Sequence, residues 1–157
     1  MEKEHLFIER KASDNKYLHR DFHVSADIGL YFVGENFGDE GVKEYLVQFA
    51  QSYYALLAKQ IKEQGLKPLD EYLHKIFDAE ERSDYIKTTL TPTRLDVEIV
   101  KCPALEFYAK TGHTPSKWYD QTTKTVYAEL AKMAGLKFEL YHYDNQSGNA
   151  KYAFICQ

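Results

Sequence analysis

The stretch Tyr85-Ile86-Lys87-Thr88-Thr89-Leu90-Thr91-Pro92-Thr93-Arg94-Leu95-Asp96-Val97-Glu98-Ile99 decides the fold. Ile86, Thr88 and Leu90 alternate with Tyr85, Lys87 and Thr89, and beyond the turn Leu95, Val97 and Ile99 alternate with Asp96 and Glu98. A period of two on both sides of a Thr-Pro-Thr-Arg turn predicts a β-hairpin with one buried face.

Upstream of about residue 83 the period is helical. A first helix is predicted over Asn15 to Phe37, started by Ser13 or Asp14, with Leu18, Phe22, Ala26, Gly29, Val33 and Phe37 as its apolar stripe and Gly38 as its stop. A second is predicted from an N-cap at Asp39 to Gly65, with Val42, Tyr45, Leu46, Phe49, Tyr53, Leu56, Leu57 and Ile61 inward. A third starts at Pro68, carries Leu69, Tyr72, Leu73, Ile76 and Phe77, and ends in the charged run Asp78 to Asp84.

Downstream, Cys102-Pro103 closes the hairpin's second strand. A short helix is expected over Ala104 to Lys110, then the loop Thr111-Gly112-His113, then a long helix from about Pro115 to Ala134 capped by Thr114. Leu136 to Tyr143 and Ala150 to Cys156 read as a second hairpin around Asp144 to Asn149. The expected fold class is therefore α+β, with helices packed on one face of a four-stranded antiparallel sheet made of two hairpins. One domain spans 1–157, with a helical half at about 15–82 and a sheet-plus-helix half at about 83–157.

Twenty Lys plus Arg against 24 Asp plus Glu give a net charge of −4, which argues against a non-specific nucleic-acid binder. No apolar run approaches the length of a membrane span, and Met1 to Lys11 has no signal-peptide pattern. Cys102 and Cys156 are too few for a disulfide scaffold, so a reduced, cytoplasmic protein is expected. With 13 Tyr, 9 Phe and 1 Trp, the chain has enough amphipathic rings for a pocket wall or an interface, beside ordinary core packing.

His19, His23 and Asp27 follow at steps of four and share one strip of the first helix. That strip can hold a metal, form a polar pocket wall, or be a polar flank with His23 bonded to a carbonyl. Cys102 shares parity with Asp96, Glu98 and Val100, off the core face. It is a candidate nucleophile, with Lys101, His113 or the helix histidines to activate it, or else a small buried hydrophobe. His142 shares parity with Leu136, Phe138 and Leu140 and is expected inward as a core histidine; Cys156 is expected in the core with Tyr152 and Phe154. His113 is expected exposed in its glycine loop. Glu35 and Asp39 read as helix-end carboxylates. Phosphate-cradling Gly-rich loops, Gly-x-Ser-x-Gly and Cys-x-x-Cys are absent. Reactive side chains sit off the apolar faces only on the histidine strip and at the strand end, so His19, His23 and Cys102 are expected around one pocket walled by tyrosines.

A further set of residues carries a family likeness. It runs from His19-Arg20-Asp21-Phe22-His23 and Gly29-Leu30 through Gly38-Asp39-Glu40, Val42, Tyr45-Leu46 and Phe49-Ala50 to Glu98-Ile99-Val100-Lys101-Cys102-Pro103-Ala104. It continues with Thr122-Thr123, Phe138-Glu139-Leu140 and the Tyr143-Asp144 to Gly148 turn, ending at Phe154. In their order and spacing the chain resembles the L-2-amino-thiazoline-4-carboxylic acid hydrolase-like family, widespread in bacteria. The resemblance implies a hydrolase that opens a thiazoline ring at an amidine-like C–N bond to give an N-carbamoyl amino acid. Cys102 is the family thiol carried over; where relatives often have further cysteines this chain has Asp120 and Ala150. On this reading Cys102 or a water attacks, His23 protonates the ring nitrogen, and His19 and His113 bind substrate, with neither metal nor cofactor. The closing strand, helix and hairpin also look like the 4-vinyl reductase-type small-molecule-binding domain, whose likeness implies binding without catalysis. The expected partner is a small molecule, with neither nucleic acid nor membrane, and a homodimer is left open.

Overall fold

The structure, a computed structural model, describes residues 16–157, with side chains from residue 22 onward. The caps at Ser13 or Asp14, the N-terminal segment and the side chains of Leu18 and His19 lie outside the described residues.

Helix α1 spans Lys16–Tyr53 and is kinked at Gly38, whose φ of 68° and ψ of −167° leave the helical region. This is the boundary read from the sequence, and a glycine meets the positive φ without a Cβ penalty. Asp39 does not act there as the expected cap, because its Oδ1 accepts the Trp118 indole N–H at 2.7 Å. The second predicted helix is itself divided. Tyr54 has φ −97° and ψ 7°, so a separate α2 runs over Ala55–Gln64. The backbone bonds Tyr54 N–H to Ala50 and Ala58 N–H to Tyr54 persist across the step. The Tyr54 ring is buried edge-on against Tyr72. Helix α3 covers Lys67–Ala79 and buries Leu69, Leu73 and Phe77.

A single 3₁₀ turn at Ser83–Tyr85 leads to β1 (Ile86–Leu90) and β2 (Arg94–Ile99). Then come α4 (Pro103–Thr111), α5 (Gln121–Ala134), β3 (Leu136–Tyr143) and β4 (Ala150–Cys156). The four strands form one antiparallel sheet in the order β1-β2-β4-β3. Leu95, Val97 and Ile99 pair with Phe154, Tyr152 and Ala150, so one face carries these six buried side chains of the two central strands together. The fold is α+β, as the change of period predicts. No described helix is long and apolar enough to cross a membrane.

Four local expectations are corrected. The last long helix starts at Gln121, not Pro115, and Thr114 is not its cap. The Ser116 N–H is drawn instead to the buried Asp27 carboxylate at 2.9 Å, and the Trp118 side chain is buried against the main core. The buried strip of α1 runs through Asp27, Leu30 and Gly34, while Phe22 and Phe37 are 62% and 69% exposed. One residue of offset turns a helix by about 100°, so the inward face is the neighbour of the stripe expected. His142 is exposed because a bulge between Leu140 and His142 reverses the alternation; Tyr143 takes the inward place, opposite Ala150. Cys156 is exposed at the end of β4, its Sγ 3.9 Å from the Pro92 carbonyl, because the sheet ends there.

Candidate functional site

The step from β2 to α4 places Cys102. Its N–H donates to the Ser147 carbonyl at 2.9 Å, and Asn149 Nδ2 donates to the Ile99 carbonyl at 2.9 Å. These bonds fasten the β3–β4 turn onto the end of β2. The turn is organised by Asp144, whose carboxylate accepts from the Ser147 hydroxyl, the Gln146 N–H and the Ser147 N–H. Those donors hold the Asp144 carboxyl below its usual range. Gly148 then lies directly against the cysteine. Its φ is +69°, and a Cβ built there would fall 2.3 Å from Cys102 Cβ. Glycine is required both by the backbone angle and by the approach.

The Cys102 sulfur lies 3.4 Å from Tyr119 Oη. Burial, with Cys102 beside it, holds the Tyr119 phenol well above its ordinary titration range. Tyr127, Tyr143 and Tyr152 line the same space, and burial raises each of their phenols as well. The wall therefore presents neutral O–H groups that donate or accept but carry no charge at neutral pH.

His23 enters from α1. Its Nε2 lies 2.6 Å from Oε1 of Glu80, a carboxylate 7% exposed just beyond the end of α3. The Tyr108 hydroxyl donates to the His23 carbonyl at 2.6 Å and ties that turn of α1 to α4. Cys102, His23, Glu80 and the four tyrosines line one cavity of about 180 Å³. A space of that size admits a small ring with substituents, below the usual range for larger ligands.

The other candidates fall elsewhere. His113 is partly buried rather than fully exposed. It packs edge-on against Tyr108 with ring centroids 4.7 Å apart, and its Nε2 meets Asp27 Oδ2 at 2.8 Å. It does not line the Cys102 cavity but a shallow depression with Ile28, Tyr31 and Lys117. His19 lies on α1 one turn before His23, with its side chain outside the described residues. His23 and Asp27 turn to different partners, and among the described residues no group of three or more His, Cys, Asp or Glu side chains could hold a metal ion.

Glu80 was hidden in the sequence. It sits in the charged run that ends α3, and nothing in its local pattern separates it from Asp78 or Glu81. Only the fold, which brings the end of α3 to the early turns of α1, joins it to a histidine 57 residues earlier. On the far side of α4, Arg82 and Lys110 flank Glu106 at 2.9 and 3.1 Å. The Arg82 guanidinium, with Lys110 adding to it, holds the Glu106 carboxyl down to about 2.

No family model matches the chain, and no curated protein and no solved structure matches it either.

Proposed function

We propose that the protein is a hydrolase of small cyclic amidines of the 2-amino-thiazoline type, with Cys102 as nucleophile. The observation that carries this reading is the single cavity lined by a thiol, an imidazole–carboxylate pair and neutral phenols. A nucleophile, a proton carrier and a group that orients the carrier are what covalent hydrolysis needs. The family resemblance supplies the ring.

Cys102 passes its proton to His23, and its sulfur bonds to the amidine carbon. The C=N electron pair moves to the ring nitrogen, which takes that proton from His23. Collapse then breaks a single ring bond. An N-carbamoyl product keeps the ring nitrogen on the attacked carbon, so the bond that breaks is the ring C–S bond rather than the C–N bond the resemblance names. As the exocyclic nitrogen re-forms a C=N bond it gives a proton to His23, which passes it to the leaving sulfur. Water adds to the same carbon, and expulsion of the Cys102 sulfur releases the urea-like product. His23 moves protons in both halves, while Glu80 orients its ring. The chemistry needs a free thiol, so the reading includes a reducing compartment such as the cytoplasm.

A second reading, a small-molecule-binding domain without turnover, is favoured by one observation: the Cys102 sulfur is already paired with the Tyr119 hydroxyl. Incubation with L-2-amino-thiazoline-4-carboxylate, followed by mass detection of N-carbamoyl-cysteine, tests both. Turnover that is lost in Cys102→Ala supports the thiol route. Turnover that survives it removes the nucleophile but keeps the hydrolase. Saturable binding with no product selects the second reading.

A further inference from the structure

A second cavity, of about 230 Å³, lies beside the first and opens between the two arms of α1. Among the described residues, His23, Tyr119 and Thr122 line both and form a shared wall between the spaces. Each is lined by four tyrosines. The inner one holds the thiol, whereas the outer one has Leu30, Leu46 and Val126 as a buried apolar floor. Its rim is made of Phe22, Tyr45 and Phe49, which are 62%, 44% and 36% exposed. Large apolar side chains left in water around an apolar hollow mark a place where apolar surface is covered in function. Among the described residues that line them, neither cavity has a Lys or Arg. An apolar cavity of about 150 Å³ is already large enough for benzene.

We propose that the two cavities are halves of one binding site, and that its ligand carries an apolar, ring-sized substituent in the outer half attached to the small reactive ring in the inner half. The shared wall sets the geometry: the link between the two parts passes His23 and Tyr119. The reactive carbon then faces Cys102 while the substituent lies over Leu46 and Val126. The identity of the inner ring rests on the proposed function; the two-part site does not.

The test compares 2-amino-4-methylthiazoline with 2-amino-4-benzylthiazoline. Binding to Cys102→Ala is read by calorimetry and turnover of the wild type by mass detection. The benzyl compound is expected to bind at least about tenfold more tightly, the effect of burying roughly 60 Å² of additional apolar surface. Ala26→Trp, at an exposed rim position, fills the outer half and brings that ratio to about one. Phe49→Ala, which removes part of the rim, lowers the ratio without adding bulk. Equal affinities in the unmodified outer half overturn the proposal, as does a preference untouched by both rim variants, or saturable binding of neither compound. A benzyl preference without turnover of either ring leaves the two-part site standing and removes the hydrolase. Turnover of both rings without a preference does the reverse.

Discussion

Gly148→Ala is the perturbation whose cost can be worked from the geometry. Two penalties apply. At φ +69° an alanine sits in the left-handed region, which costs roughly 1–2 kcal/mol for a residue with a Cβ. The new methyl also falls 2.3 Å from Cys102 Cβ, 3.2 Å from Leu105 Cδ1 and 3.3 Å from the Cys102 nitrogen. Two of those three atoms are backbone or Cβ and cannot swing aside, so overpacking adds about 1–3 kcal/mol. Gly135 provides the control. Its φ is +73°, but nothing lies within 4 Å of a built Cβ, so Gly135→Ala bears the backbone penalty alone. Urea unfolding of both variants should place the Gly148→Ala midpoint lower than that of Gly135→Ala by roughly 0.5–1.5 M, taking an m value of about 2 kcal/mol/M. The m values themselves should not change. Equal midpoints would refute the close approach of the turn to Cys102, and with it the account of how the hairpin positions the thiol.

Other outcomes follow from single contacts. Glu80→Gln, which leaves His23 without its carboxylate, should lower kcat on the amidine at least about tenfold, with Glu80→Asp recovering part of the loss; an unchanged kcat removes the orienting role. Asp27→Asn weakens a buried acceptor of two donors, His113 Nε2 and the Ser116 N–H, and should destabilise by about 1.5–3 kcal/mol in urea. Glu106 titrates below its unfolded value, so its pairing stabilises the fold above pH 4.5 and the contribution fades as pH falls from 4.5 to about 2. The stability gap between the wild type and Glu106→Gln, followed by acid titration, should therefore close across that window. A gap that is constant with pH would show that the Arg82 and Lys110 contacts do not act on this carboxyl.

Much of the architecture was legible because it rests on local rules. Alternation over Ile86 to Ile99, Gly38 between two helical runs, Pro68 at a helix start and Gly135 at a helix end each act through their own backbone, and each stands where the pattern places it. Which face of an element turns inward is a different matter. On α1, apolar residues occur on more than one side, and the strip that packs is selected by Asp27 bonding to His113 and Ser116, residues more than 80 positions away. At the end of β3, a bulge exchanges His142 for Tyr143, and parity counted along the strand has no means of registering an inserted residue.

The same division holds at the candidate site. Residue chemistry and spacing singled out Cys102 at a strand end and His23 on a polar strip, because reactive groups off an apolar face stand out in a pattern. Glu80 and the four tyrosines of the cavity have no such mark: one sits in a charged run, and the others resemble every other tyrosine in a tyrosine-rich chain. They meet only when α3, α5 and the second hairpin close around the start of α4. Sequence alone determined the order of helical and extended segments and the residues with reactive side chains, since these depend on periodicity and on chemistry carried by each residue. Tertiary structure alone decided which face of α1 is buried, which carboxylate meets His23 and which rings enclose Cys102, since burial and pairing arise between segments distant in the chain.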